Sequence, residues 1–138
     1  MQRSRPGGRR AVVAPGGAQL TVPEGLDLAY RRNGRNVVVS VRGDIDLSSA
    51  AYLEQALAEL IDEQGNLSIV LDLERLEFMG STGVALLLKA RERARLKGGE
   101  IILARPSSIA RRVLEISGVF SAFDVRDDGV DPAVSHGR

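Results

Sequence analysis

A chain of 138 residues has room for one self-sufficient core and gives no reason to expect a second domain. With 19 Lys and Arg against 18 Asp and Glu, the net charge of +1 offers no general attraction to nucleic acid or to an anionic membrane. Cysteine is absent, which excludes disulfides and thiolate metal sites and agrees with a reducing compartment.

Residues 1–25 carry Arg3, Arg5, Arg9 and Arg10 among Pro6, Pro15, Pro23 and several glycines. They show neither helical nor alternating periodicity and read as a disordered basic tail. The tail has no aromatic residue to stack on bases, so nucleic acid is not an expected partner. Its apolar run, Ala11-Val12-Val13-Ala14, is too short for a secretory signal. The longest apolar run, near Val84, falls far short of the ~18 residues that would span a bilayer. A soluble cytoplasmic protein without membrane insertion is expected.

From Leu26 the alternation of Leu26, Leu28 and Tyr30 predicts a half-buried strand. Asn33-Gly34 is a turn signal that folds it onto a second strand, Asn36 to Arg42, with Val37, Val39 and Val41 on one face. Gly43 through Asp46 ends that strand, and Asp46 or Ser48 caps a helix running to about Glu63. Its apolar positions Ala50, Leu53, Leu57, Leu60 and Ile61 form one stripe at helical spacing, and Gln64-Gly65-Asn66 stops it.

Leu67 to Leu73, around Ser68-Ile69-Val70-Leu71, reads as a fully buried strand. A helix follows from about Thr82 to Leu96, closed by Gly98-Gly99, and then a further strand at Ile101-Ile102-Leu103-Ala104. Strand, helix and strand in this order call for a crossover and parallel pairing. After Arg105-Pro106, Ser107 or Ser108 caps a helix from Ile109 to Ser117, with Ile109, Val113 and Ile116 as its inner face. Val119-Phe120 and Phe123-Asp124-Val125 return the chain to the sheet as a short last strand, and residues 127–138 read as a flexible C-terminal tail.

Chemistry concentrates between the buried strand and the second long helix, in Asp72-Leu73-Glu74-Arg75-Leu76-Glu77-Phe78-Met79-Gly80-Ser81-Thr82-Gly83, read as a polar turn with Ser81 at a helix start. The first N–H groups of a helix lack intrahelical partners, and its N-terminal pole is positive. A hydroxyl there either caps the helix or stands as an acceptor whose phosphate the helix end would hold. Gly80 and Gly83 leave the Ser81-Thr82 pair open to close approach by another protein.

Other chemistries fail. The single histidine, His136, lies in the tail, so neither a Ser-His-Asp arrangement nor a histidine-bound metal can be assembled. Met79 occupies the first glycine position of a G-x-S-x-G elbow, and no Lys-Ser or Lys-Thr pair completes a phosphate-binding loop. Asp44 and Asp46 are a thin pair of carboxylates for a metal and fit capping and turn roles. No catalytic residue, cofactor or metal is expected, and the chain does not read as an enzyme.

Leu76-Glu77-Phe78-Met79-Gly80-Ser81-Thr82-Gly83, preceded by Gly43-Asp44-Ile45-Asp46, resembles the two motifs of STAS domains of the anti-sigma-factor antagonist family. In that family a strand leads through an aromatic or apolar pair into D-S-[ST]-G and a helix. The resemblance covers residues 26–126 and implies a single α/β domain with a mixed, mostly parallel central sheet and helices packed on one side.

It further implies binding to an anti-sigma factor of the Bergerat-fold serine-kinase type while Ser81 is unmodified, and release once Ser81 is phosphorylated. A serine phosphatase would restore the first state. By the same resemblance Ser81 is the phosphoacceptor, Thr82 the secondary candidate, and Asp44, Asp46, Met79, Gly80, Ser81, Thr82 and Gly83 meet the partner. Gly80 stands where the family most often carries Asp. That departure favours the alternative, a non-phosphorylated STAS scaffold or an accessory subunit of a larger assembly or lipid-transport complex.

Overall fold

The computed structural model describes residues 25–128 in full and the backbone of two preceding strands, β1 (Arg9–Val13) and β2 (Gln19–Pro23). These strands pair antiparallel, with Val12 opposite Leu20, where the sequence reading expects no regular structure. Ala11-Val12-Val13 and Leu20-Thr21-Val22 have strand composition, which the prolines and glycines around them conceal in a reading by composition. The expected C-terminal tail beyond Asp128, with His136, lies outside the described residues.

The central sheet starts with the hairpin of β3 (Leu26–Asn33) and β4 (Asn36–Ile45). Asn33 pairs with Asn36, so the two-residue loop is Gly34-Arg35, one residue later than the Asn-Gly signal suggests. Gly34 takes a φ of 63°, as the tight turns that match strand twist require. There follow α1 (Leu47–Glu63), β5 (Ser68–Asp72), β6 (Leu76–Met79), α2 (Ser81–Leu96), β7 (Glu100–Ala104), α3 (Ser108–Ile116), a 3-10 turn at Phe120–Ala122 and β8 (Asp124–Arg126). The sheet order is β3-β4-β5-β7-β8, with β6 also on β4. Every pairing but β3–β4 is parallel, which is the mixed, mostly parallel α/β sheet the sequence implies.

One face of this sheet carries the core. Val37, Val39 and Val41 of β4, Ile69 and Leu71 of β5, and Ile101 and Leu103 of β7 pack against Leu53, Leu57, Leu60 and Ile61 of α1 and Leu86, Leu87 and Ala90 of α2. Burial of this set removes the largest block of apolar surface from water and is the main stabilising term. The opposite face buries a smaller cluster of Val38, Val70, Ile102 and Ala104.

Helix α3 turns a different face inward from the one its spacing suggests. Ala110 and Leu114 are buried and Val113, as expected, packs half-buried against the core, whereas Ile109 is 42% and Ile116 75% exposed. The i, i+4, i+7 rule picks the stripe richest in large apolar residues; the helix instead seats a small residue and a leucine.

β6 is absent from the sequence reading, and it shapes the site. The first half of β4 pairs with β5, from Asn36 opposite Ser68 to Ser40 opposite Asp72. The second half pairs with β6, from Gly43 opposite Leu76 to Ile45 opposite Met79, with a register shift after Gly43. Gly43 has a φ of 104°, and a Cβ there would run into the carbonyl oxygen of Gly25. Only glycine suits that irregularity.

Gly43→Ala should therefore lower unfolding free energy by at least about 3 kcal/mol, combining left-handed strain with a backbone clash. Gly34→Ala, at a positive φ but with open space around its Cα, should cost about 1–2 kcal/mol. Urea denaturation of the two variants checks this; equal costs would contradict the tight Gly25–Gly43 contact.

Candidate functional site

The parallel ends of β4 and β6 set two helix starts side by side. Ile45 lies opposite Met79, and the Gly80 N–H donates to the Ile45 carbonyl at 3.2 Å. β4 runs through Asp46 into α1, and β6 runs through Gly80 into α2.

The two starts are finished differently. Asp46, rather than Ser48, is the N-cap of α1: its Oδ1 accepts from the Ser48 N–H at 3.1 Å and the Ser49 N–H at 3.0 Å. The Asp46 N–H in turn donates to Ser49 Oγ at 2.9 Å, closing a reciprocal capping box. Ser49 Oγ donates to the Asp44 carbonyl at 2.8 Å, which ties the cap back to β4.

α2 has Gly80 at its N-cap and no side-chain cap. Ser81 is thus the first helical residue and not the cap. It is exposed, and its hydroxyl has no hydrogen-bond partner among the described residues.

Of the other residues expected to meet a partner, Asp46 is exposed, while Asp44, Gly80 and Thr82 are half-buried. Met79 and Gly83 are enclosed instead. A Cβ on Gly83 would lie 2.5 Å from Met79 Cγ and 3.1 Å from Ile45 Cγ2. Gly83 therefore serves the seating of Met79 under the helix start, and leaves no opening for another protein. A Cβ on Gly80 would meet only the Phe78 ring, at 3.8 Å, an ordinary contact. Packing does not impose glycine at that position.

Two exposed apolar side chains, missed in the sequence reading, flank the helix starts. Leu47, the first residue of α1, is 78% exposed, and Phe78 is 50% exposed. Leu47 falls outside the buried stripe of α1, which was the available sign; Phe78 sits between two residues of a strand that the reading did not resolve.

Charge at the site is uneven. Burial, then Glu77, then Asp46 push the Asp44 carboxyl above its usual range. Asp46 is held below its usual range, chiefly by the Ser49 N–H and further by the hydroxyls and N–H of the cap. Asp46 Oδ1 is thus committed to α1 and not to a cation. Among the described residues no three His, Cys, Asp or Glu side chains gather as a metal site would require. No described helix is long and apolar enough to cross a membrane.

Fold and site together define an α/β domain with a mixed, mostly parallel sheet that presents a free hydroxyl at a helix start. The STAS domain family model matches residues 27–131, and the chain belongs to that family. It is 29% identical over 104 residues to the anti-sigma-F factor antagonist RsfB of Mycobacterium tuberculosis, covering 75% of this chain and 84% of RsfB.

Among solved structures, an anti-sigma factor antagonist from Mycobacterium paratuberculosis superimposes with a TM-score of 0.66 at 27% identity, over 76% of this chain and 88% of that one. SpoIIAA in its unphosphorylated form gives 0.63 at 26% identity, over 72% and 87%. The phosphorylated form of the Bacillus protein gives 0.58 at 26%, over 72% and 89%.

The opposite shifts of the two aspartates set opposite pH dependences. Asp46 contributes stability above its unfolded pKa, lost as pH falls through its lower folded value; Asp44 is destabilising when ionised. Asp46→Ala should cost about 1 kcal/mol at neutral pH, and the deficit should shrink below about pH 4. Asp44→Asn should be slightly more stable than wild type at pH 7 and lose that gain in acid. Chemical denaturation at both pH values tests the pair.

Proposed function

We propose that this protein is an anti-sigma-factor antagonist whose partner binding is switched at Ser81. In this reading the unmodified surface around the α1 and α2 starts docks on an anti-sigma factor of the serine-kinase type. That kinase phosphorylates Ser81, the modified protein dissociates, and a serine phosphatase returns it to the binding form. The observation that carries the reading is the exposed, unbonded Ser81 hydroxyl at the first position of an uncapped helix. Relatives named as anti-sigma factor antagonists, and the likeness to SpoIIAA in both phosphorylation states, support it.

The physical action is local. A phosphate adds about −1.5 to −2 charge. Beside the free N–H groups of α2 it would be favoured by about 0.3–1 kcal/mol, so the fold tolerates it. At a docked interface the same group meets a surface shaped for a neutral hydroxyl, and its bulk and charge weaken binding there. Leu47 and Phe78 supply apolar area near the hydroxyl, and a negative group added beside Asp44 and Glu77 further raises the negative charge of that surface. Thr82, half-buried, is the less accessible hydroxyl of the pair.

Incubation with the kinase-type anti-sigma factor and ATP should add one phosphate to the wild type and none to Ser81→Ala, read by intact mass. Equal labelling of Ser81→Ala would move the acceptor elsewhere, and an unlabelled wild type would overturn the phosphorylation reading.

A further inference from the structure

The central sheet is open at β8. Its strand order runs β3-β4-β5-β7-β8. The other edge, β3, lies beside the β1–β2 hairpin, and its Leu26, Asp27, Arg31 and Asn33 are engaged in further interactions. β8 pairs with β7 alone, and no other described strand covers its outer side. The Arg126 carbonyl accepts from the Arg105 N–H at 2.6 Å, which turns the backbone groups of Arg126 toward β7. Backbone groups alternate in direction along a strand, so the N–H and C=O of Val125 point away from the sheet.

Open edges are commonly guarded by charges that repel a second copy. The charges on β8 do the opposite. Asp124 and Arg126 share one face of the strand and hold each other, with Arg126 Nε donating to Asp124 Oδ1 at 3.2 Å and Nη2 to Oδ2 at 3.0 Å. Both side chains remain partly exposed, 47% for Asp124 and 38% for Arg126, so each has room for a second partner. They stand symmetrically about Val125. Two β8 strands laid antiparallel, with Val125 on the two-fold axis, would exchange both N–H to C=O bonds between the two valines. Each Asp124 would then face the Arg126 of the other copy, in the closer, non-hydrogen-bonded kind of pair. Asp-Val-Arg is complementary to itself read backwards.

The same register carries Asp128 of one copy beside Ala122 of the other. Ala122 lines a hollow of about 420 Å³ whose walls include Arg91 and Arg95, one turn apart on α2. The acidic groups in that wall are already engaged: Glu100 accepts from the Ser68 hydroxyl, and Asp124 from Arg126. Arg91, Arg95 and Asp128 have no ion pair among the described residues. We propose that β8 is a contact between two copies of this chain. The two sheets join through antiparallel β8 strands in an isologous pairing, and Asp128 of each copy reaches Arg91 and Arg95 of the other. β5 and β7 separate β8 from β4, so the helix starts at Ser81 stay uncovered and the dimer presents two of them. The pairing does not depend on what binds at Ser81.

Sedimentation equilibrium of the full chain tests the proposal. A contact of this size belongs to the weak class, so dimer should accumulate over about 10–500 µM, and about 1 M salt should reduce it by screening the charges. Asp124→Arg and Arg126→Asp each set like charges face to face, and either variant alone should lose at least about tenfold in association constant. Mixed in equal amounts, the two variants should associate with each other, because opposite charges meet again. Asp124→Arg/Arg126→Asp in one chain should dimerise as the wild type does. Arg91→Gln/Arg95→Gln should weaken the dimer, whereas Arg112→Gln, an exposed arginine on α3, should leave it unchanged. Unaltered melting temperatures would show that the variants fold. A wild type that stays monomeric at about 500 µM, single reversals that dimerise as well as the wild type, or a mixture no more associated than its components would overturn the assignment.

Discussion

Parallel pairing between the second half of β4 and β6, closed by the hydrogen bond from the Gly80 N–H to the Ile45 carbonyl, determines where every feature of the site lies. Two strands that end level must launch their helices level, so the N-termini of α1 and α2 emerge together. β4 parts from β5 after Ser40, and from Gly43 onward it pairs with β6 on the same edge, with a register shift just after Gly43. A side chain at Gly43 would collide with Gly25 and disturb that pairing. The site thus rests on backbone geometry set in the interior of the sheet, several residues from the hydroxyl it presents.

The same geometry finishes the two helix starts differently. α1 is sealed by Asp46 and Ser49, which satisfy its free donors and anchor it to β4 through the Asp44 carbonyl. α2 is left unsealed, with Gly80 offering no side chain and Met79 packed under Gly83 to hold the first turn. A helix start that is firmly seated yet chemically unfinished suits a reversible charge, because the unpaired N–H groups face the added group without any rearrangement of the core. Glycine at position 80, where the family most often carries Asp, removes a negative charge beside the proposed acceptor Ser81. It does so where a larger residue would fit, so the reason lies outside packing.

Much of this was legible from the residues. Alternation in Val37, Val39 and Val41, the stripe of α1, and the apolar runs of β5 and β7 all point to the faces they occupy, because large core surfaces impose their period on the chain. Ser81 at a helix start was readable from local pattern and family resemblance together. β6 was not, since four residues with two exposed members form a strand only because β4 offers an unpaired edge, a tertiary fact. α3 misled for a related reason: at the margin of the core, Ala110 and Leu114 fit the available space, and Ile109 and Ile116 were left outside. Gly83 reads as an opening when only its lack of a side chain is considered; the packed Met79 gives it an interior role. Leu47 and Phe78 escaped notice because exposure of a single apolar residue cannot be inferred from its type.

The central claim is that one charge change at Ser81 alters association and leaves the fold unchanged. Its most direct test is the affinity for the anti-sigma factor of one preparation measured before and after enzymatic phosphorylation, with amide spectra recorded on both forms. The account predicts that phosphorylation weakens binding by at least about tenfold, with spectral changes confined to residues around the α1 and α2 starts. Equal affinity of the two forms, or changes spread through the sheet, would contradict it.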